Sequence, residues 1–325
     1  MKLALSQSWV EARLITEQIE QALGQRPQFS GDALAMREQY KALSIQINAS
    51  HKRALHLKIE DIAITDYLAA RVYTPPNKDG NALPVGIYFH GGGWCCGDVE
   101  TEDGICQLLS EHVPCIIVSV EYRRAPEHKS PVQLQDVLEG WTWAWNNASM
   151  LNGDQARYFA IGQSAGAHLA LALANQLVAL DRKVEIRGVA ALAPITTHPA
   201  RVPSKYDDKY RSFTDCADAP INTAFAMNVF FDAVGASPDD PDFFIINSKH
   251  IDDFPPTYLV VCDIDPIRDD GLVMHSLLKE AGVPTKLDYY IGLPHVFWAL
   301  DCKPPSGNFL SDVLSGINFL MNDAV

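Results

Sequence analysis

Nowhere in its 325 residues does the chain approach the roughly 18 to 20 uninterrupted apolar residues that a spanning helix needs, so membrane insertion is not expected. Positive charge is scarce as well. Lys+Arg number 26 against 40 Asp+Glu, a formal net charge of -14. A surface that acidic repels phosphate backbones and anionic bilayers, which excludes nucleic acid as a natural partner. The seven cysteines show no C-x-x-C and no metal-ligand spacing. That speaks against a disulfide framework or a thiolate metal site, and for reduced thiols in the cytoplasm. The N-terminus lacks the apolar core of a signal peptide, and no repeat or low-complexity tract is visible.

What is present is a balanced globular composition, 47% hydrophobic and 20% charged, in a chain long enough to bury a sizeable core. Residues 1–50 have helical periodicity with a Pro/Gly break over 27–31, which predicts two helical pieces. Two strands follow, over 54–64 and 68–73. Short apolar runs then recur at 85–89, 115–120, 157–161, 187–192, 257–262 and 286–291. Their unbroken apolar character suits strands buried on both faces of a parallel sheet. Helical patterns lie between them at 101–112, 131–148, 165–180, 269–281 and 308–321, and the alternation predicts a doubly wound α/β sheet. It lapses over 194–256, where one helix-like run near 222–234 stands among Pro, Asp and aromatic residues. This stretch reads as an insertion over the sheet, packed with the N-terminal helices as a lid. Trp141 and Trp145 share a helix face with Leu134, Val137 and Leu138, and read as core packing.

Gly162-Gln163-Ser164-Ala165-Gly166 fits G-x-S-x-G between a predicted strand and a predicted helix. A nucleophile at such a turn is held exposed in strained backbone, which requires small neighbours. His90-Gly91-Gly92-Gly93-Trp94 directly follows the 85–89 run. Glycines at a strand end let backbone N–H groups face a substrate oxygen, so Gly92, Gly93 and Ala165 are the candidate oxyanion donors for Ser164. No Lys-Ser/Thr follows and no G-x-G-x-x-G spacing occurs, which speaks against a phosphate loop.

A serine hydroxyl needs a base, and the base needs an orienting carboxylate. His295 follows the last predicted strand, downstream of the acids that follow the 257–262 run. His275 falls inside a helix, and His168, one turn beyond Ser164, reads as a packed histidine. Between Asp263 and Asp265 the residues alone barely choose. Asp269 and Asp270 read as first-turn helix acids.

Together, His-Gly-Gly-Gly-Trp, the Glu121-to-His128 segment, Gly-Gln-Ser-Ala-Gly, Asp265-Pro-Ile-Arg-Asp269 and Pro294-His295-Val-Phe resemble the hormone-sensitive-lipase-like family of α/β-hydrolases over about residues 60 to 325. The resemblance implies an α/β-hydrolase fold: a mostly parallel eight-stranded sheet with helices on both faces. Its helical cap would be built from residues 1–50 and an insertion at about 195–240, and the catalytic domain would span 51–325. It also implies Asp265 as the catalytic acid, Asp263 in support, and the Tyr122-to-His128 segment as scaffold beneath the oxyanion loop. Gln163, where the family commonly has Asp, and Arg124, where Leu is usual after Tyr-Arg, depart from the pattern.

The expected activity is hydrolysis of a small to medium apolar acyl or aryl ester by a Ser164–His295–Asp265 triad, with no metal or cofactor. The expected partner is a small-molecule ester, and a homodimer is compatible with the sequence. Relatives of this style resemble tailoring esterases of fungal secondary metabolism. The same triad could serve a thioester, a lactone or acyl transfer. The gibberellin receptors that the family also resembles have lost a triad residue, whereas all three are retained here. The N-terminal helices are expected to govern substrate choice rather than chemistry.

Overall fold

The computed structural model describes residue 17 and residues 28–48, 54–300 and 308–321. Eight strands form one sheet: β1 (Lys58–Ala63), β2 (Ala69–Thr74), β3 (Leu83–Phe89), β4 (Ile116–Glu121), β5 (Gly153–Gln163), β6 (Gly188–Leu192), β7 (Thr257–Ile264) and β8 (Thr285–Pro294). Their spatial order is β1-β2-β4-β3-β5-β6-β7-β8. β1 and β2 pair antiparallel, as do β2 and β4, and every later neighbour is parallel. This is the eight-stranded, mostly parallel sheet expected from the sequence. β5 starts earlier than its apolar run, at Gly153, because Gly153 pairs with Leu83 of β3 ahead of a register shift while only the later residues enter the core.

Alternate residues of the central strands feed two apolar cores. Val85, Ile87 and Phe89 of β3 face one and Tyr88 faces the other, just as Ala160 and Ile161 of β5 point to opposite sides. Period-2 alternation with both faces apolar explains why these strands read as continuous apolar runs. Helices α3 (Val132–Asn146), α4 (Ala165–Ala179) and α6 (Arg268–Glu280) cover the first core, and α2 (Asp103–His112) and α7 (Phe309–Met321) the second. Trp141 is fully buried on the α3 face, and the ring of Tyr158 meets Trp141 and Trp145 edge-on.

Of the two helical pieces expected over 1–50, the second is α1 (Ala33–Asn48), whereas the first lies outside the described residues. The stretch between β6 and β7 holds α5 (Ala224–Val234), which is N-capped by Thr223 and ended by Gly235 at φ +64°. Gln28 bridges to Ile221, so the chain leading into α1 lies beside the entry to α5.

Asp269 and Asp270 do more than complement a helix dipole. Both are buried. Asp269 accepts from the N–H groups of Arg211 and Ser212, both at 2.7 Å. Asp270 accepts from Thr196 and Thr197 N–H at 2.8 and 3.0 Å, and from the Tyr210 hydroxyl at 2.7 Å. The two carboxylates fasten the insertion to α6, directly after the Asp265 loop.

Candidate active site

The geometry begins at the turn between β5 and α4. Ser164 has φ 54°, a left-handed conformation that a non-glycine residue adopts only under local compulsion. The compulsion is close packing. A Cβ at Gly166 would lie 1.8 Å from the Phe89 carbonyl oxygen, and one at Gly162 would lie 2.4 Å from the Gly166 backbone. Only glycines let β3, β5 and α4 converge this tightly, and the serine between them is pushed out at the C-terminal edge of the sheet. Its N–H donates to Leu192 O at 2.8 Å, which ties the turn to β6.

Two further strand ends meet it there. His295 follows β8 and Asp265 follows β7. His295 Nε2 stands 2.9 Å from Ser164 Oγ, and its Nδ1 stands 2.5 Å from Asp265 Oδ2. A carboxylate can only accept, so Nδ1 carries the proton and Nε2 is free to accept from the serine hydroxyl. Asp265 is 1% exposed, and its other oxygen accepts from Ile267 N–H at 3.2 Å and from Asn222 Nδ2 at 3.1 Å. Asp263 serves the neighbouring strand instead. It accepts from the Tyr289 hydroxyl and, at 2.9 Å, from Gly292 N–H, and so fixes the approach to His295.

The 90–97 loop is held by its carbonyls. Tyr122 OH donates to His90 O, Ala125 N–H to Trp94 O, Arg37 Nε to Cys95 O and Arg124 Nη1 to Gly97 O. Glu102, 4% exposed, accepts from Gly91 N–H at 2.7 Å and from the hydroxyls of Tyr40 and Tyr88. With the carbonyls engaged on one side, the N–H groups of Gly92, Gly93 and Ala165 have no acceptor among the described residues. Gly93, at φ +59°, also has Phe230 of α5 against it. A Cβ there would come within 2.2 Å of that ring.

His168 takes no part in this relay. The Trp94 indole donates to its Nδ1 at 3.0 Å, its Nε2 donates to Phe243 O, and burial pushes its pKa down to about 4. It is a neutral packing histidine between the 90–97 loop and the insertion. Arg123 is paired with buried Asp136, and Glu127 with Arg37, so both belong to the scaffold. Arg37, Glu102 and Asn222 escaped sequence reasoning, because each acts on residues 11 to 90 positions away with no local motif to mark it.

Beside Gln163 and Val296, the chain neighbours of Ser164 and His295, lies a cavity of about 130 Å³, open to solvent and walled chiefly by apolar residues of α1, α2, α7 and the 296–299 turn. No cluster of metal-ligating side chains occurs among the described residues. Nor is any described helix long and apolar enough to cross a membrane.

Comparison with known proteins gives a consistent result. A family model described as the α/β-hydrolase fold matches residues 86–299. The versiconal hemiacetal acetate esterase of Dothistroma septosporum is 40% identical over 260 residues, 79% of each chain. Carboxylesterase NlhH of Mycobacterium tuberculosis is 32% identical over 69% of each chain. Among solved structures, a vibralactone cyclase superposes with a TM-score of 0.81 at 28% identity over 90% of both chains. A hyperthermophilic esterase from Pyrobaculum calidifontis gives 0.79 at 26% identity, over 97% of this chain and 98% of its own.

Proposed function

Because the chain belongs to the hormone-sensitive-lipase-like α/β-hydrolases, we propose that it is a serine carboxylesterase in which Ser164, His295 and Asp265 are the catalytic triad. The observation that carries this reading is the unbroken relay at 2.5 and 2.9 Å beside three unpartnered N–H groups. Ser164 Oγ attacks the ester carbonyl carbon while His295 Nε2 takes its proton. The resulting oxyanion lies among the N–H groups of Gly92, Gly93 and Ala165. The bond to the alcohol oxygen then breaks as His295 returns the proton to it. Water attacks the acyl-enzyme and gives a proton to His295, which passes it to Ser164 Oγ as the bond to the acyl carbon breaks and the acid is released. Asp265 holds the imidazole in the required tautomer and stabilises the imidazolium. No step needs a metal or organic cofactor.

In this reading α1 and the 195–240 insertion form the cap over the serine, and the apolar cavity takes an apolar or aryl substrate group. Several relatives are named as acetate esterases, which supports an acetyl ester of a larger alcohol as the substrate, in keeping with a tailoring esterase of secondary metabolism. Six described cysteines are free thiols, which supports a reducing, cytoplasmic setting. A fluorophosphonate should label Ser164, as located by peptide mass spectrometry. Ser164→Ala should lose labelling together with about 10⁴ to 10⁶ of kcat on phenyl acetate. Labelling elsewhere, or retained turnover, would overturn the assignment.

One observation favours a second reading. The likeness to a structure named as a lactone cyclase suits an acyl-enzyme released by a hydroxyl of the substrate instead of water. Turnover in ¹⁸O-water separates the two, since hydrolysis labels the acid and intramolecular transfer leaves the product unlabelled.

A further inference from the structure

The cavity touches the chain neighbours of Ser164 and His295, and of the residue that binds Asp265. Gln163 precedes Ser164, Val296 follows His295, and Ile221 precedes the Asn222 that binds Asp265. A substrate acylating Ser164 therefore projects part of itself against these walls. Most are apolar, and of the polar ones Tyr40, Asn48, Thr101 and Glu102 are bonded within the protein, whereas the Ser44 hydroxyl has no bonded partner among the described residues. Tyr40 donates to Glu102, Asn48 donates to Glu100 O and Thr101 O, and Glu102 already accepts from three donors.

Gln163 is different. The Trp298 indole approaches its side chain at 2.7 Å, and an indole N–H can only donate. The amide atom facing Trp298 must therefore be the oxygen. Trp298 is itself fixed, stacked on Phe309 with 4.4 Å between ring centroids. A planar amide held by its oxygen directs its NH₂ away from the indole. No described residue accepts from that Nε2, and it is not among the sealed, unpartnered atoms of the interior. Its N–H bonds open on the cavity that Gln163 lines.

We infer that Gln163 is a specificity-determining residue: its NH₂, oriented by Trp298, selects esters whose apolar body carries a carbonyl oxygen able to accept from it. This rests on the esterase reading above. An amide inside an apolar wall gains little from a pure hydrocarbon, which strips water from the donor and offers nothing in return. A ketone restores that bond. The carboxylate usual at this position in the family could not do so, because an ionised acid has no proton to give.

The test is a series of phenyl oxoalkanoates with the ketone stepped along the acyl chain, and of aryl acetates with an acetyl group stepped around the ring. Each is paired with its methylene or isopropyl analogue, and the quantity read is the ratio of kcat/KM within a pair. Wild-type protein should favour the ketone by about 3- to 10-fold at one or two positions. Gln163→Glu keeps an oxygen for the Trp298 indole and replaces only the donor. In that variant the preference should vanish or invert, whatever happens to absolute rates. Gln163→Leu should also abolish it, and Trp298→Phe, which frees the amide to turn, should weaken it. Equal ratios in wild type and both Gln163 variants, or no ketone preference at any position, would overturn the assignment. Failure of wild type to hydrolyse any member would instead count against the esterase reading itself. That outcome is distinguishable, because it removes the analogue rates as well.

Discussion

On the proposed assignment, the sheet and the cap hold the same site by different means. From the sheet come Ser164, His295 and Asp265, each placed by backbone geometry at a strand end: a forced turn for the serine, and for the other two the first position after a strand. From the cap come no reacting atoms but a set of long-range side-chain grips. Arg37 of α1 holds Cys95 O in the 90–97 loop, Phe230 of α5 packs on Gly93, and Asn222 donates to Asp265. The grip runs the other way too, since Asp269 and Asp270 of the catalytic unit bind the insertion's backbone. The sheet decides which atoms meet, whereas the cap decides how firmly the donors and the acid are held once they do. The expectation that the N-terminal helices govern substrate choice rather than chemistry can be tested at Arg37, which reaches the candidate oxyanion loop itself.

The sharpest contrast inside the sheet is between its two late acids. Asp265→Asn should lower kcat by about 10⁴, through loss of the His295 tautomer. Asp263→Asn should cost far less, since Asp263 meets Tyr289 and Gly292 and no triad atom. Steady-state kinetics of the two variants decides it, and a reversed ranking would exchange their roles.

Across the boundary between sheet and cap, Asp270 ties stability to pH. Burial pushes its pKa up from the ordinary 3.8 to about 7, against the pull of the Thr196 and Thr197 N–H groups and Tyr210 OH. A carboxyl whose pKa is raised on folding stabilises the fold fully below its unfolded value. That contribution is lost as pH rises through about 7. At 1.36 kcal/mol per pKa unit, the gap corresponds to on the order of 4 kcal/mol. Asp270→Asn can keep the Thr196 and Thr197 bonds on its oxygen and donate to Tyr210. Relative to wild type, it should therefore be more stable at pH 8 than at pH 5 in urea unfolding. A difference independent of pH would mean that the carboxylate stays ionised throughout.

Arg37 tests whether the cap reaches the chemistry. It donates to Cys95 O at 2.5 Å and Ala125 O at 2.6 Å and pairs with Glu127. Arg37→Leu leaves those carbonyls without their donor and loosens the candidate oxyanion loop. Losing one oxyanion donor outright costs about 10² to 10³ in kcat, so a loosened set should cost about 10- to 100-fold. KM for phenyl acetate should change little. A change confined to KM would return α1 to substrate choice alone.

How much of this was legible in the sequence follows the same division. The turn at Ser164 and the glycines after β3 announce themselves because part of their constraint is local: a Cβ at Gly162 meets the Gly166 backbone and one at Gly92 meets that of Cys96, each four residues away. The central strands were legible because both faces are buried and nearly every residue is apolar, as in β3, β4 and β6. Asp263 and Asp265 could not be separated by residue type, since their difference lies in which neighbouring element each one faces. The cap's contributions were illegible for a stronger reason. Glu102 resembles any acid before a helix, and only the fold brings Tyr40, Tyr88 and Gly91 to it. Asp269 and Asp270 sit where first-turn acids belong, so a sufficient local explanation concealed the long-range one.

Asn222 offers the finest test, because it is the cap residue that touches the proton relay. Its amide donates to Asp265 Oδ1 at 3.1 Å, sharing that oxygen with Ile267 N–H, while Oδ2 is left to His295. In Asn222→Ala the carboxylate loses one of the bonds that fix its plane, so kcat should fall by about 3- to 10-fold with KM nearly constant. Asn222→Asp is the complementary probe, since it replaces a donor by an acceptor facing the same oxygen, and it should lower kcat further. An unchanged kcat in both variants, with activity lost through KM, would reduce Asn222 to a packing contact. The cap would then hold the acid's surroundings without tuning the acid.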